Sequence, residues 1–293
     1  MATVLVTGTS KGIGLETALA FGRAGHRVAA TMRSPAQSPT LAEIAAREQL
    51  PISISAMNVD TDDSVRAGIA RITKELGPID VLVNNAGIER TGSVEEQSLA
   101  DFQAVMETNY FGALRCIQAV MPSMRERRSG CIINVTSVAG RLAISPMAAY
   151  CASKHALEAL SECLAQEAKA FNVRVAIVEP GIIDTAMARH IAVDDMPSPY
   201  AQKRRLAALF TASLRQPVPP TLVADQILAI ATSGTWQLRH LVGPDAAPFV
   251  GWRMGMSDES WTDIGALDDD GWFTRIEKDF GMNARPSVEA AAL

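Results

Sequence analysis

The chain reads as an α/β protein built on a doubly wound parallel sheet of about seven strands flanked by helices. Three observations predict this class. Short apolar, β-prone runs alternate with longer helical stretches through residue 180 without a Pro/Gly/Ser-rich linker. The first run ends directly in a glycine-rich turn that opens a helix. Later runs end in small or polar residues, as expected where an open sheet offers ligand contacts beyond its strand ends.

The first strand is Thr3-Val4-Leu5-Val6-Thr7, followed by Gly8-Thr9-Ser10-Lys11-Gly12-Ile13-Gly14 and a helical stretch from Leu15 to Ala24. Gly8 permits the tight turn, Gly12 allows backbone to approach a pyrophosphate, and Gly14 allows close packing of helix on sheet. The helix N-terminus adds N–H donors and a positive dipole, so the turn suits a nucleotide diphosphate. A second strand, His26 to Thr31, ends at Met32-Arg33, where a dinucleotide fold reads the adenosine ribose. Arg33 and Lys11 are cations able to flank a 2'-phosphate, which favours NADP(H) over NAD(H).

The strand Ile79 to Val83 ends in Asn84-Asn85-Ala86-Gly87, and Gly130 to Val135 ends in Thr136-Ser137. Parallel pairing would bring Asn85, Gly87 and Ser137 to the same crevice as the glycine loop. Thirteen residues after Ser137 stands Tyr150, and Tyr150 and Lys154 are four apart, hence on one helix face. A free phenol ionises near pH ~10, so a fixed neighbouring cation is needed for acid-base work near neutrality. Lys154 is that cation in this reading.

These residues carry a family resemblance. The chain resembles the short-chain dehydrogenase/reductase superfamily in T-G-x-x-x-G-I-G at Thr7 to Gly14, N-N-A-G at Asn84 to Gly87, Asn109, Ser137, Y-x-A-S-K at Tyr150 to Lys154, and P-G-x-x-x-T at Pro180 to Thr185. The closing strand Arg239 to Gly243 fits as well, extending coverage to about residue 245. The resemblance implies a Rossmann-type fold and an NAD(P)-dependent oxidoreductase acting on a ketone, aldehyde or secondary alcohol. It makes Tyr150 the general acid/base, Lys154 the holder of the nicotinamide ribose that lowers the tyrosine pKa, Ser137 the carbonyl-polarising hydroxyl, and Asn109 the holder of a relay water. It assigns cofactor contacts to Gly8, Ser10, Lys11, Gly12, Ile13 and Gly14, to Arg33, to Asn58 and Val59, and to Asn85, Ala86 and Gly87. Tyr150, Lys154, Pro180, Gly181, Ile183 and Thr185 complete the nicotinamide side. Asn58 departs from the Asp common among relatives, but an amide can still pair with an adenine amine. An NAD(H)-dependent alcohol dehydrogenase and a non-catalytic NADPH-sensing protein remain as alternatives.

A chain of 293 residues with 48% apolar content is long enough for one large domain, taken here as residues 1–245 with an extension at 246–293. The first strand leaves no room for a signal peptide and no stretch suits a membrane span, so a cytoplasmic protein is expected. The four cysteines, Cys116, Cys131, Cys151 and Cys163, read as buried reduced thiols, and the scattered histidines suggest no metal site. A net charge of −5 without a basic aromatic stripe argues against nucleic acid. Residues 243–293 hold ten acids, four bases and Trp252, Trp261 and Trp272, so this tail is expected to dock on the domain or on another subunit, with Ser287 to Leu293 frayed.

Residues 182–220 lose the strand-helix alternation and gain five prolines, which reads as a mobile substrate lid. Met187, Ile191, Met196, Tyr200, Leu209 and Phe210 from it would face Leu142, Ala143, Ile144 and Met147, a wall suited to a lipophilic ketone or secondary alcohol. The helix from about Met147 to Ala170 is apolar on more than one face, and in the family it pairs between subunits with the helix holding Asn109 and Tyr110. A homodimer or homotetramer is therefore expected.

Overall fold

In the computed structural model, residues 1–193 and 197–285 are described. Seven strands form one sheet: β1 Thr3–Thr7, β2 Arg27–Met32, β3 Ile52–Ala56, β4 Val81–Asn84, β5 Gly130–Val135, β6 Val173–Pro180 and β7 Arg239–Val242. Every pairing is parallel, in the order β3-β2-β1-β4-β5-β6-β7. The order reverses between β1 and β4, so their carboxyl ends diverge into a crevice, the place where such sheets bind ligands.

The strands are buried on both faces, and alternate residues serve opposite layers. Val4 and Val6 of β1 pack with Leu15 and Leu19 of α1 (Gly12–Arg23) and with Val223, Ile227 and Ile230 of α9 (Thr221–Ser233). Leu5 points the other way. It joins Ile69 and Ile72 of α3 (Asp62–Leu76), Ile117 and Val120 of α5 (Gly112–Arg127), and Leu164 of α6 (Ala148–Lys169). Each such buried aliphatic side chain is worth about 1.5–3 kcal/mol, which makes these two layers the main stabilising mass. Helix α2 (Thr40–Arg47) adds Leu41 to the first layer, and α4 (Leu99–Met106) leads through a π turn at Glu107–Phe111 into α5.

Residues 182–220 are less irregular than expected. They fold into α7 (Ala186–Ala192) and α8 (Ala201–Ser213). Alanine and the long straight side chains of Gln202, Lys203, Arg204 and Arg205 favour helix, while the prolines fall at the boundaries, with Pro199 before α8 and Pro217, Pro219 and Pro220 between α8 and α9. Ile191 and Leu206 pack in one cluster with Met147 and Cys151. Met196, expected to face substrate, lies outside the described residues, as do Ser287 to Leu293.

The chain beyond β7 forms α10 (Ala246–Met254), α11 (Asp258–Ala266) and α12 (Asp269–Phe280). Ser257 and Asp268 cap α11 and α12 by accepting from Ser260 N and Gly271 N, and Asp269 and Asp270 suit the dipole at the start of α12. Phe249, Trp272, Phe273 and Ile276 bury their side chains with Leu142, Ile182 and Leu209, closing a third apolar cluster over the crevice. Arg204 and Arg205 of α8 both pair with Asp269, tying that helix to the extension. One expectation about the thiols fails: Cys116, Cys131 and Cys151 are buried, but Cys163 is exposed, because it falls on the solvent side of α6. Among the described residues, no helix is long and apolar enough to cross a membrane, and no metal-ligating group of three or more side chains forms.

Candidate active site

A cavity of about 500 Å³ opens where β1, β4, β5 and β6 end. Its first wall is the glycine loop. Gly8, at φ +71°, leaves β1 so close to the β4 loop that a Cβ would lie 2.7 Å from Ala86 Cα. A Cβ on Gly14 would lie 2.3 Å from both Asn85 Nδ2 and Gly8 O. Asn85 occupies that space by donating from Nδ2 to Thr7 O (2.9 Å) and Gly8 O (3.1 Å), so its side chain braces the loop. Ser10, Lys11, Gly12, Ile13 and Gly14 line the cavity at the N-terminus of α1, with unpaired N–H groups of the first turn available to an anion.

Arg33 after β2 and Asn58 and Val59 after β3 line the same cavity, and both Lys11 and Arg33 are exposed. Asn58 Oδ1 accepts from Asp60 N at 3.3 Å, and Ser64 Oγ accepts from Asn58 N at 2.8 Å, which fixes the turn at that strand end. Ala86, Gly87, Pro180, Gly181, Ile183 and Thr185 complete this half. Thr185 caps α7, its Oγ1 accepting from Ala188 N. The residues present fit a dinucleotide: a backbone cradle without Cβ atoms, a helix N-terminus, and two exposed cations at one end.

Ser137, Tyr150 and Lys154 form the opposite wall. Ser137 leaves β5 and caps a short 3-10 turn, its Oγ accepting from Ala139 N at 3.1 Å. Tyr150 lies in the first turn of α6 and Lys154 one turn later, with Nζ 5.5 Å from the Tyr150 ring centroid. Lys154 Nζ donates to Val135 O at 2.9 Å, so strand β5 sets its position. Burial pushes the Tyr150 phenol above its ordinary value and outweighs the opposing hydrogen bond with Ser137; Cys151 and Glu89 push the same way as burial. Burial pushes Lys154 down to about 8, against the upward pull of Glu158. For Tyr150, burial thus favours the neutral phenol.

Asn109 lies on the π turn between α4 and α5. It is buried at 1% exposure outside the cavity lining, because the π turn directs its amide inward. Its Oδ1 accepts from Ile88 N (2.8 Å), and Nδ2 donates to Ile88 O and Ser153 Oγ (2.9 Å each). The side chain therefore ties the β4 loop to α6.

Beside polar lining from Arg90, Thr108 and His190, the cavity has an apolar wall of Leu142, Ile144, Met147, Met187, Ile191, Leu209 and Phe210. Tyr200 does not join them; it precedes α8 and is partly exposed. Several members were not anticipated. Leu206 and Phe249 close the roof, Glu89 is a buried carboxylate on the wall, and Asp245 backs the loop after β6 by accepting from Ile182 N through Oδ2 at 2.8 Å. Only Glu89, two residues after N-N-A-G, carried a usable signal; the others reach the site by long-range packing.

Residues 2–195 match the short chain dehydrogenase family. The chain is 33% identical over 269 residues to Oxidoreductase BOA17 of Botryotinia fuckeliana, covering 88% of this chain and 96% of that one. It is 43% identical over 188 residues to Retinol dehydrogenase 8 of Bos taurus, covering 62% of this chain and 59% of the relative. A solved structure of a variant actinorhodin polyketide ketoreductase with NADPH is similar at TM-score 0.75 and 27% identity, over 84% of this chain and 97% of that one. A family match over well more than half its length, joined to a relative covered almost end to end, makes the chain a member of the short-chain dehydrogenase family and an oxidoreductase acting on CH–OH and C=O groups.

Proposed function

We propose that the protein reduces a lipophilic ketone or aldehyde with NADPH, and that Tyr150, Ser137 and Lys154 carry the proton chemistry. The observation that carries this reading is the convergence of those three side chains with the glycine loop on one cavity that also has an apolar wall of Leu142, Met147, Ile191 and Leu209. A bound nicotinamide supplies the hydride. Tyr150 gives its phenolic proton to the oxygen of the reacting carbonyl, and the Ser137 hydroxyl donates to the same oxygen. Lys154 stabilises the tyrosinate left behind. Asn109 acts by position, keeping the β4 loop and α6 in register. Lys11 and Arg33 support the phosphorylated cofactor, in line with the NADPH found in the ketoreductase structure. The name of Retinol dehydrogenase 8 fits an apolar substrate.

Tyr150→Phe should retain NADPH binding while turnover falls by about 10²–10⁴, the usual contribution of a general acid. Turnover near that of the unmodified protein would exclude Tyr150 from the role. Self-association is part of the same proposal, because Leu99 of α4 and Phe111 of the π turn remain 72% and 41% exposed beside α6. Light scattering should give a dimer or tetramer at micromolar concentration.

A further inference from the structure

Behind the Tyr150 wall lies a buried charge network that hydride transfer does not use. Glu158 sits one turn after Lys154 on α6, with the two residues only 5% and 4% exposed. Its Oε1 accepts from Thr136 Oγ1 at 2.7 Å, and its Oε2 accepts from Arg239 Nε of β7 at 3.0 Å. Arg239 Nε also lies 3.5 Å from Oε1 of Glu179, a β6 residue exposed by just 1%. Arg141 Nη1 donates to that same oxygen at 3.1 Å, while Glu179 Oε2 is buried without a hydrogen-bond partner. Arg239 further pairs with Glu162 on α6.

The network reaches the lysine through the end of β5. Glu158 and Glu179 are its buried carboxylates, Glu162 being half exposed, and Glu158 holds Thr136 next to Val135, whose carbonyl accepts from the buried Lys154 ammonium one helical turn away. We propose that Glu158 is the positioning residue that holds Lys154 as a cation, and that Arg239 sets how strongly it does so, tuning proton transfer at Tyr150 from strand β7. The proposal rests on the reading of Tyr150 and Lys154 as the proton-transfer pair. The titratable and charged groups around Lys154 are Tyr150 and Glu158 on its own helix, Glu179 on β6, Arg239 on β7, Arg141 after β5 and Glu89 after β4. Among these, Glu158 is the one that raises the Lys154 pKa against burial.

The test uses opposite changes of charge. Glu158→Gln removes the negative charge at nearly constant shape, whereas Arg239→Met leaves Glu158 less neutralised. In NADPH-dependent ketone reduction followed from about pH 6 to 10, the basic limb of kcat/KM should move to lower pH by about one unit in Glu158→Gln. It should move to higher pH in Arg239→Met, and Glu158→Asp should restore the original position. The pH dependence of NADPH affinity, read by fluorescence without turnover, should shift in the same two directions. Limbs that stay in place, or move together while melting temperatures fall, would show a purely structural network and overturn the proposal. Should Glu158→Gln fail to fold, Arg239→Met decides alone, an unmoved limb being the refuting result. Retained turnover in Tyr150→Phe would instead strike the underlying reading, which keeps the two failures distinct.

Discussion

Asp245 is expected to be the hidden support of the nicotinamide-side loop, and a four-protein cycle measures this. The carboxylate accepts from Ile182 N at 2.8 Å, and a Cβ on Gly181 would lie 2.0 Å from Asp245 Oδ1. Asp245→Ala leaves the buried Ile182 N–H unpaired, which costs about 1–3 kcal/mol. Gly181→Ala expels the carboxylate, losing the same bond and adding about 1–3 kcal/mol of overpacking. In the double variant the new methyl occupies the space vacated by the carboxylate, so only the lost hydrogen bond remains. The double cost should fall short of the sum of the singles by one hydrogen bond plus the overpacking, about 2–6 kcal/mol. Urea unfolding of the four proteins reads this, and Asp245→Asn, which keeps an acceptor for Ile182 N, should be milder than Asp245→Ala. Costs that add to within about 0.5 kcal/mol would mean that Gly181 and Asp245 do not share this space.

Stability should report the burial of Lys154. Its folded pKa, about 8, lies below that of a free lysine, so between the two the unfolded chain binds more protons and this group makes stability rise with pH; urea midpoints of Lys154→Met should lack that component. Alanine at both Lys11 and Arg33 should weaken NADPH binding tenfold or more, about 1.4 kcal/mol, with little change for NADH in parallel calorimetry. Thiol titration of the native protein should find one reactive cysteine, Cys163, and four after denaturation, since burial pushes Cys116 up to about 12 and Cys131 and Cys151 up to about 11.

The sheet and its ligand edge were legible because short apolar runs and glycine turns are local signals, and parallel pairing then places Gly8, Asn85, Ser137 and Pro180 together. The Tyr150/Lys154 pair was legible for the same reason, being a matter of helical spacing. Helices α7 and α8 were not, because five prolines masked the helix formers between them. The bracing by Asn109 and Asp245 was hidden too, since their partners lie 21 and 63 residues away in the chain. The pKa of Tyr150 depends on how fully the fold dries its hydroxyl, and spacing alone does not encode that.

The roof over the reacting wall has a different origin from its floor. The floor comes from strand ends within residues 2–195, the part shared with the family, whereas Leu206, Leu209, Phe210 and Phe249 descend from helices that follow it. That part of the wall, unlike Leu142, Met147 and Ile191, can therefore vary independently of the strand ends. A chimera that exchanges only the segment after residue 196 with that of another family member should carry over the donor's taste in substrates and leave the choice of coenzyme where it was.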